Sequence, residues 1–476
     1  MKTLLVFLIA ALPLAGAEPA PPLTWKAGAA SVIITPEVDM PMSGYASRNK
    51  PSEGKAQDLF AKALALEDAA GGRFVIVTMD LIGLPRDLRL HLEKRAREAY
   101  ALPGERLLLN ASHTHCGPAF RVGNTNADDI PPSEALGDAY GRQLEEKIFA
   151  LIGAALKDSA PARLNYSHAR AGFAMNRRLP SPTGYQNSPN PDGPVDHEVP
   201  VLSVSDGDGK LRALLFGYCC HNTTLHFNQF CGDYAGFAQE YLQADHPGVT
   251  ALFLNGCSGD QNPYPRGTLE FAQRHGRALA MAVEAALAVK PPREVNGPLT
   301  AEFAEIPLAY GPVPTREEFE QRLQSKDIYI AGAARRMLER LAKDGKLPTE
   351  YPYPVQVAHF GEGLVLAALG GEAVVDYSLR LKKELAGKAA VWVAAYSNDV
   401  MGYIPSRRVR EEGGYEGVEA MRFSLIHPGP WAPELEEKIV AKVHELHGHL
   451  SEPKSTAAVP EPALEDPKAG RLRNSK

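Results

Sequence analysis

The stretch Leu107-Leu108-Leu109-Asn110-Ala111-Ser112-His113-Thr114-His115-Cys116-Gly117-Pro118 passes directly from a short apolar run into a dense polar cluster. Open α/β sheets present ligand-binding groups in this way, at the carboxyl ends of buried strands. Four further segments repeat the pattern. Leu211–Tyr218 leads into Cys219-Cys220-His221-Asn222-Thr223-Thr224, and 249–254 leads into Asn255-Gly256-Cys257-Ser258-Gly259-Asp260-Gln261-Asn262-Pro263. Leu364–Leu369 is followed by Gly370-Gly371-Glu372, and 390–395 by Tyr396-Ser397-Asn398-Asp399-Val400-Met401-Gly402-Tyr403. Strand-length runs separated by helical stretches predict an α/β fold: mixed, mostly buried sheets flanked by helices, with the active site at the C-terminal ends of strands.

Outside these five segments, further strands are expected at 74–79 and 201–204, and helices at 87–100 and 269–289. The second helix carries Leu269, Ala272, Gly276, Leu279, Val283 and Ala286 at three- and four-residue spacing, the signature of core packing. Thr315 and Glu318 have capping-box spacing and open a charged amphipathic stretch to about Lys346, read as a surface helical insertion. Ser205-Asp206-Gly207-Asp208-Gly209 predicts a hairpin; it lacks the spaced acidic ligands and closing Glu of a calcium loop. The Pro-, Gly- and Asn-rich segments 121–133 and 179–194 are expected to be long loops able to roof a site.

With 476 residues, 44% hydrophobic and 23% charged, the chain has ordinary globular composition. Its net charge of -6, with both signs interspersed, excludes the basic stripe that nucleic-acid binding requires. Residues 1–17 place Lys2 before an apolar run that ends in Ala15-Gly16-Ala17, which predicts a cleaved signal peptide and export to a periplasm or the exterior. The run is shorter than the roughly 20 residues a membrane span needs, and no later segment reaches that length. A catalytic domain is expected over 18–450 and a disordered polar tail over 451–476. The five cysteines are too few and too irregular for a disulfide scaffold and read mostly as small buried hydrophobes.

His113, His221 and Glu372 would supply the nitrogen and oxygen ligands of a hydrolytic zinc site, with a coordination position left for water. His113 and His115 are two apart and in extended chain point the same way, so one can bind metal while the other serves as acid/base or supports it. The plainer reading stays beside this one. A single His after a strand is commonly a satisfied surface or capping group, as His226, His246 and His275 are taken to be. Glu372 equally suits the first turn of a helix over 373–385, where the macrodipole favours a carboxylate. Spacing alone leaves both readings open.

From Gly28 to roughly Tyr415 the chain resembles the catalytic domain of the neutral ceramidase family, zinc amidases that release a fatty acid from ceramide. Ser112-His113-Thr114-His115-Cys116-Gly117-Pro118 is similar to the family's Thr-His-Thr-His-Ser-Gly-Pro. The resemblance makes His113 a Zn²⁺ ligand and His115 the catalytic or polarising histidine. Tyr218-Cys219-Cys220-His221 stands where a family strand ends in a ligand His, and Gly370-Gly371-Glu372 where the family has Pro-Gly-Glu. Tyr403 matches a ligand Tyr, which completes an implied set of His113, His221, Glu372 and Tyr403. Tyr415-Glu416 looks like a family Tyr-Glu pair whose Tyr contacts the reacting carbonyl, and Asn176-Arg177 looks like a family Asn-Arg near the substrate, which gives roles to Tyr415 and Arg177.

Two departures qualify the resemblance. Gly259-Asp260-Gln261-Asn262-Pro263 carries Asn262 where the family's Gly-Asp-x-Ser-Pro has a serine assigned to the catalytic centre. An amide is no nucleophile but can orient water or donate to a developing oxyanion, so Asn262 favours attack by metal-activated water over an acyl-enzyme route. The family also continues into a C-terminal β-sandwich domain, where this sequence runs into a short polar tail, so lipid handling and peripheral membrane contact are left open. The implied partner is a small-molecule or lipid amide. The rivals are a zinc esterase or deacylase acting on another substrate, and a non-catalytic envelope-binding protein that kept the fold.

Overall fold

A computed structural model describes residues 23–122 and 135–452. The expected signal peptide, nearly all of the 121–133 segment and nearly all of the tail lie outside the described residues. The larger sheet runs in the order Thr250–Asn255, Leu211–Tyr218, Glu198–Ser205, Ala160–Arg170, Trp25–Ile33, Phe60–Asp68, Arg73–Met79, Leu107–Ala111, with Arg293–Val295 paired beside Ala160–Arg170. Its outermost pair at each end is parallel. A smaller sheet has the order Leu299–Ala309, Glu350–Phe360, Leu364–Leu369, Ala390–Ala394, and its last pair is also parallel. Parallel neighbours need a crossover connection, which is why helices intervene in the sequence just there. All five strands that end in polar segments belong to these three parallel pairs.

The two sheets pack face to face. Trp25, Phe74, Leu215 and Leu252 of the larger sheet share one buried cluster with Phe360, Leu366 and Trp392 of the smaller. Helices cover the outer faces: Arg86–Tyr100, Ala135–Lys157, Asp233–Asp245 and Leu269–Leu287 on the larger sheet, Val375–Glu384 and Leu435–Ser451 on the smaller. The result is four layers, helix, sheet, sheet, helix. Strands buried on both faces need apolar side chains on both, so they read as continuous runs rather than as alternation.

At one end the sheets are sewn together by the segment after Ala390–Ala394. Asn398 N donates to Leu109 O, and Ala111 N donates to Tyr396 O. The fully buried Asn110 ties three strand ends at once: its Nδ2 donates to Ala395 O at 2.6 Å, and its Oδ1 accepts from Asn255 N at 2.9 Å. Asn110→Ala would strand both backbone partners without water, so we expect a loss of about 3 kcal/mol, measured by denaturant unfolding. A loss below about 0.5 kcal/mol, typical of a surface change, would show that the seam does not depend on this side chain.

Three expectations need correction. The segment 179–194 is not a long loop: Ala174–Ser181 and Gly184–Asn190 form an antiparallel hairpin whose polar, Pro- and Asn-rich strands carry no apolar alternation. The helix expected from 373 starts at Val375, and Glu372 instead pairs with Tyr403 in a two-residue parallel bridge. The chain is also not extended through His113, whose φ is 65°. The insertion after Thr315 forms two helices, Arg316–Arg322 and Ile328–Asp344, the first opened by the Thr315–Glu318 capping box. All five cysteines are free and buried.

Candidate metal centre and active site

His113 stands two residues beyond Leu107–Ala111, where the chain turns through a left-handed backbone conformation that side chains other than glycine rarely adopt. Its Nδ1 lies 2.5 Å from Ile82 O. His221 stands three residues beyond Leu211–Tyr218, held by its own N–H on Gln261 O, with Nδ1 2.6 Å from Ser258 O. A carbonyl only accepts, so in both rings Nδ1 carries the donated proton and Nε2 is turned inward. Both Nε2 atoms face one carboxylate oxygen, Glu372 Oε2, at 3.2 Å from His113 and 3.3 Å from His221. Gly371 delivers Glu372 to this point at φ 65°, and a Cβ there would come within 2.7 Å of Gly402 O.

The electrostatics of this cluster call for a cation. Burial, with Arg177 nearby, pushes the His221 imidazole down to about 3, so the ring is neutral near pH 7 and its Nε2 bears a lone pair. Burial pushes the Glu372 carboxyl up, yet His113 and His221 beside it hold it well below the usual carboxylate range. A lone pair and an anionic oxygen thus face each other, and neither His221 Nε2 nor Glu372 Oε2 has a hydrogen-bond partner although both are buried. Such groups repel unless a positive charge lies between them. Among the described residues, ligand atoms of His113, His115 and His221 come within 4.8 Å of one another, a spacing one ion can span. The donor set of imidazole nitrogen and carboxylate oxygen suits zinc.

His115 reaches the same point, its Nε2 3.1 Å from His113 Nε2. The two rings meet because the chain turns between them, not through strand alternation. Its ring packs 4.8 Å from Tyr45, against Gly44, where an added Cβ would come within 2.7 Å of three His115 atoms. Burial, and then the charge of His113, push the His115 imidazole well below its ordinary value. Tyr403 stacks nearly parallel to His221 at 6.4 Å, and its hydroxyl accepts from Arg177 Nη2 at 2.8 Å.

Arg177 is the hub of the next layer. Besides Tyr403 it donates to Glu416 Oε1 at 2.7 Å and to Asn262 Oδ1 at 3.2 Å. Asn262 Oδ1 also accepts from Thr223 Oγ1 at 3.1 Å, so its oxygen is occupied in holding Arg177 and Thr223. Tyr415, 39% exposed, sets its ring 5.3 Å from that of Tyr403 at the rim of a cleft of about 1460 Å³ that opens over Glu372 and Tyr403. All eight residues singled out in the sequence therefore gather in one region. His246 and His275, taken as satisfied groups, are bonded to Glu284 and to Pro265 O.

One group, Tyr396, escaped the sequence reading. Tyr396 packs its ring 4.6 Å from that of His113, with φ 52° and a buried hydroxyl without a hydrogen-bond partner. The Ser258 hydroxyl is likewise buried and unpartnered. Both directly follow strands, the same signal that marked His113 and His221. Nothing in the residue order announces a left-handed tyrosine.

A family model described as neutral/alkaline non-lysosomal ceramidase, N-terminal, matches residues 25–271, slightly more than half of the chain. The chain belongs to this family. The matched span contains His113, His115, Arg177, His221 and Asn262, while Glu372, Tyr403 and Tyr415 lie beyond it. Among curated ceramidases, the neutral ceramidase of Pseudomonas aeruginosa is 26% identical over 382 residues, 73% of this chain and 53% of that protein. Neutral ceramidase B of Dictyostelium discoideum is 24% identical over 51% of this chain and 36% of its own length. This ceramidase-family chain thus spans about half, or less, of the curated relatives it matches. Its fold matches the crystal structure of the Pseudomonas aeruginosa neutral ceramidase with a TM-score of 0.70 at 20% identity, over 90% of this chain and 74% of that one.

Proposed function

We propose that this chain is a zinc-dependent amidase that cleaves an N-acyl lipid amide of the ceramide type, and that it acts outside the cytoplasm after loss of residues 1–17. The observation that carries the reading is the buried convergence of His221 Nε2, His113 Nε2 and Glu372 Oε2, with His221 Nε2 and Glu372 Oε2 left without a hydrogen-bond partner. Family membership and the relatives named neutral ceramidase support the substrate class.

In this reading His113, His221, Glu372 and Tyr403 hold the ion. When bound, Zn²⁺ supplies Lewis acidity and brings the pKa of a water near 7. His115, neutral and next to His113, takes up a proton and returns it to the leaving amine. Arg177, fixed by Glu416, steadies the Tyr403 phenol, and Tyr415 at the rim holds the substrate carbonyl oxygen. The test is metal content together with hydrolysis of an N-acylsphingosine, a simple acyl amide and an acyl ester by wild type and His113→Ala. Full activity in a metal-free preparation would sink the mechanism. Turnover of esters alone would move the assignment to an esterase.

Asn262 separates two routes. Its oxygen accepts from Arg177 and Thr223, so it acts as a positioning group. Asn262→Ser keeps an acceptor at the site and is expected to hold kcat within about tenfold of wild type. A loss as deep as that of His113→Ala would place this side chain in the chemistry itself.

A further inference from the structure

Fourteen large apolar side chains are exposed among the described residues, and six of them lie in two short stretches: Ile328 and Tyr329, and Tyr415, Phe423, Leu425 and Ile426. The two stretches are neighbours in space. Arg340 Nη1, from the helix that begins at Ile328, donates to Ile426 O at 2.9 Å. Tyr329 OH donates to Ala46 O at 2.8 Å, beside the Gly44–Tyr45 turn that seats His115. Tyr329, Phe423, Leu425 and Ile426 line the same cleft that reaches Glu372. The exposed apolar groups therefore ring the mouth of the site.

Charge on this rim runs against that of the chain. Residues 326–340 and 419–426 contain five cations, Lys326, Arg335, Arg336, Arg340 and Arg422, against Asp327, Glu339 and Glu419, in a chain of net charge -6. Asp327 is engaged as the N-cap of its helix, accepting from Tyr329 N and Ile330 N. Arg335 and Arg336 are exposed at the cleft. Exposed aliphatic and aromatic side chains interleaved with arginine, around an opening instead of across a flat face, match a surface that lies in the headgroup boundary of a membrane. Arginine stems lie along apolar surface while their heads reach anionic phosphates.

We infer that this rim, formed by the helix beginning at Ile328 and by residues 415–426, is a docking surface for an anionic lipid bilayer. The docking stands on exposure and charge alone. Only the delivery of an acyl lipid from the bilayer into the cleft rests on the function proposed above.

The test uses the whole chain in co-sedimentation with vesicles of phosphatidylcholine alone or mixed with phosphatidylglycerol, at low and high salt. Wild type is expected to pellet with the mixed vesicles and to be released by salt. Ile328→Asp combined with Leu425→Asp should weaken binding by about tenfold or more. Arg335→Glu combined with Arg336→Glu should abolish the preference for phosphatidylglycerol, because two cations facing the anionic headgroups become anions. Circular dichroism and thermal unfolding of the variants, both expected to be unchanged, separate lost docking from lost folding, and hydrolysis of a water-soluble short-chain amide is read on wild type. Wild type remaining in the supernatant, variants that bind as wild type does, or a rim that instead joins two copies of the chain in solution would each overturn the inference. Failure of the function itself is read separately, as absent metal and absent hydrolysis of the soluble amide, with vesicle binding intact.

Discussion

Under the proposed function, Glu372→Gln is expected to abolish metal binding and amide hydrolysis while leaving the chain folded. The substitution keeps shape and size and removes only the negative charge that faces the two Nε2 atoms at 3.2 and 3.3 Å. Without that charge the site offers a divalent cation neutral donors, and affinity should fall by more than the roughly 10–100-fold that losing an outer hydrogen-bond partner costs. In the metal-free protein the same change relieves the confrontation of lone pair and anion, so apo stability should hold or rise. Metal analysis, a chelator-competition titration and apo unfolding read the three effects separately. A variant that retains wild-type metal affinity would show that the carboxylate is not a ligand, whatever its activity.

The second large effect is expected at Glu416. Its two oxygens accept from Arg177 Nε at 2.7 Å and Arg178 Nη1 at 2.8 Å, and all three side chains are at most 5% exposed. Glu416→Gln leaves two adjacent buried guanidinium groups with their shared anion gone. Arg178 keeps Glu412, so a loss of about 3 kcal/mol is expected, the low end for breaking a buried pair. Burial pushes the Glu416 carboxyl up, but Arg177 pulls it below its ordinary 4.5. A depressed carboxylate contributes stability that is complete above its unfolded pKa and is lost as pH falls through the lower folded value. The difference between wild type and Glu416→Gln should therefore be constant near neutrality and shrink below about pH 4.5. Because Arg177 also holds Tyr403, kcat should fall with the Tyr403 contact. A stability difference that persists unchanged into strong acid would exclude the ionic origin.

Much of this fold is visible in the residue order, for a physical reason. Strands buried on both faces cannot tolerate polar side chains, so Leu107–Ala111 and Leu364–Leu369 stand out as apolar runs, and the polar residues that follow them must serve something other than the core. Ser205–Gly209 and the Thr315–Glu318 pair are equally legible because their chemistry is local. The hairpin over 174–190 is not: its stability comes from tertiary partners such as Arg178 on Glu416 and Val409 O, which no short window contains. The helix Leu435–Ser451 went unremarked although Leu435, Ile439, Val443 and Leu446 have helical spacing. Around the site, residue types were readable and conformations were not. His113, Tyr396 and Asn398 all adopt left-handed backbone; asparagine tolerates it readily, but at Tyr396 only the surrounding packing imposes it.

The candidate ligands divide by origin: His113 and His221 follow strands of the larger sheet, while Glu372 follows a strand of the smaller and Tyr403 is bridged to it. An ion gripped by all four would act as a rivet between the stacked layers at the end where Asn110 already stitches them. Such a rivet grips only the assembled molecule, so saturating metal at a thousand times its dissociation constant would add about 4 kcal/mol to unfolding. Chelation would then loosen the whole sandwich from its catalytic end, and heat resistance would become a gauge of how fully the centre is loaded.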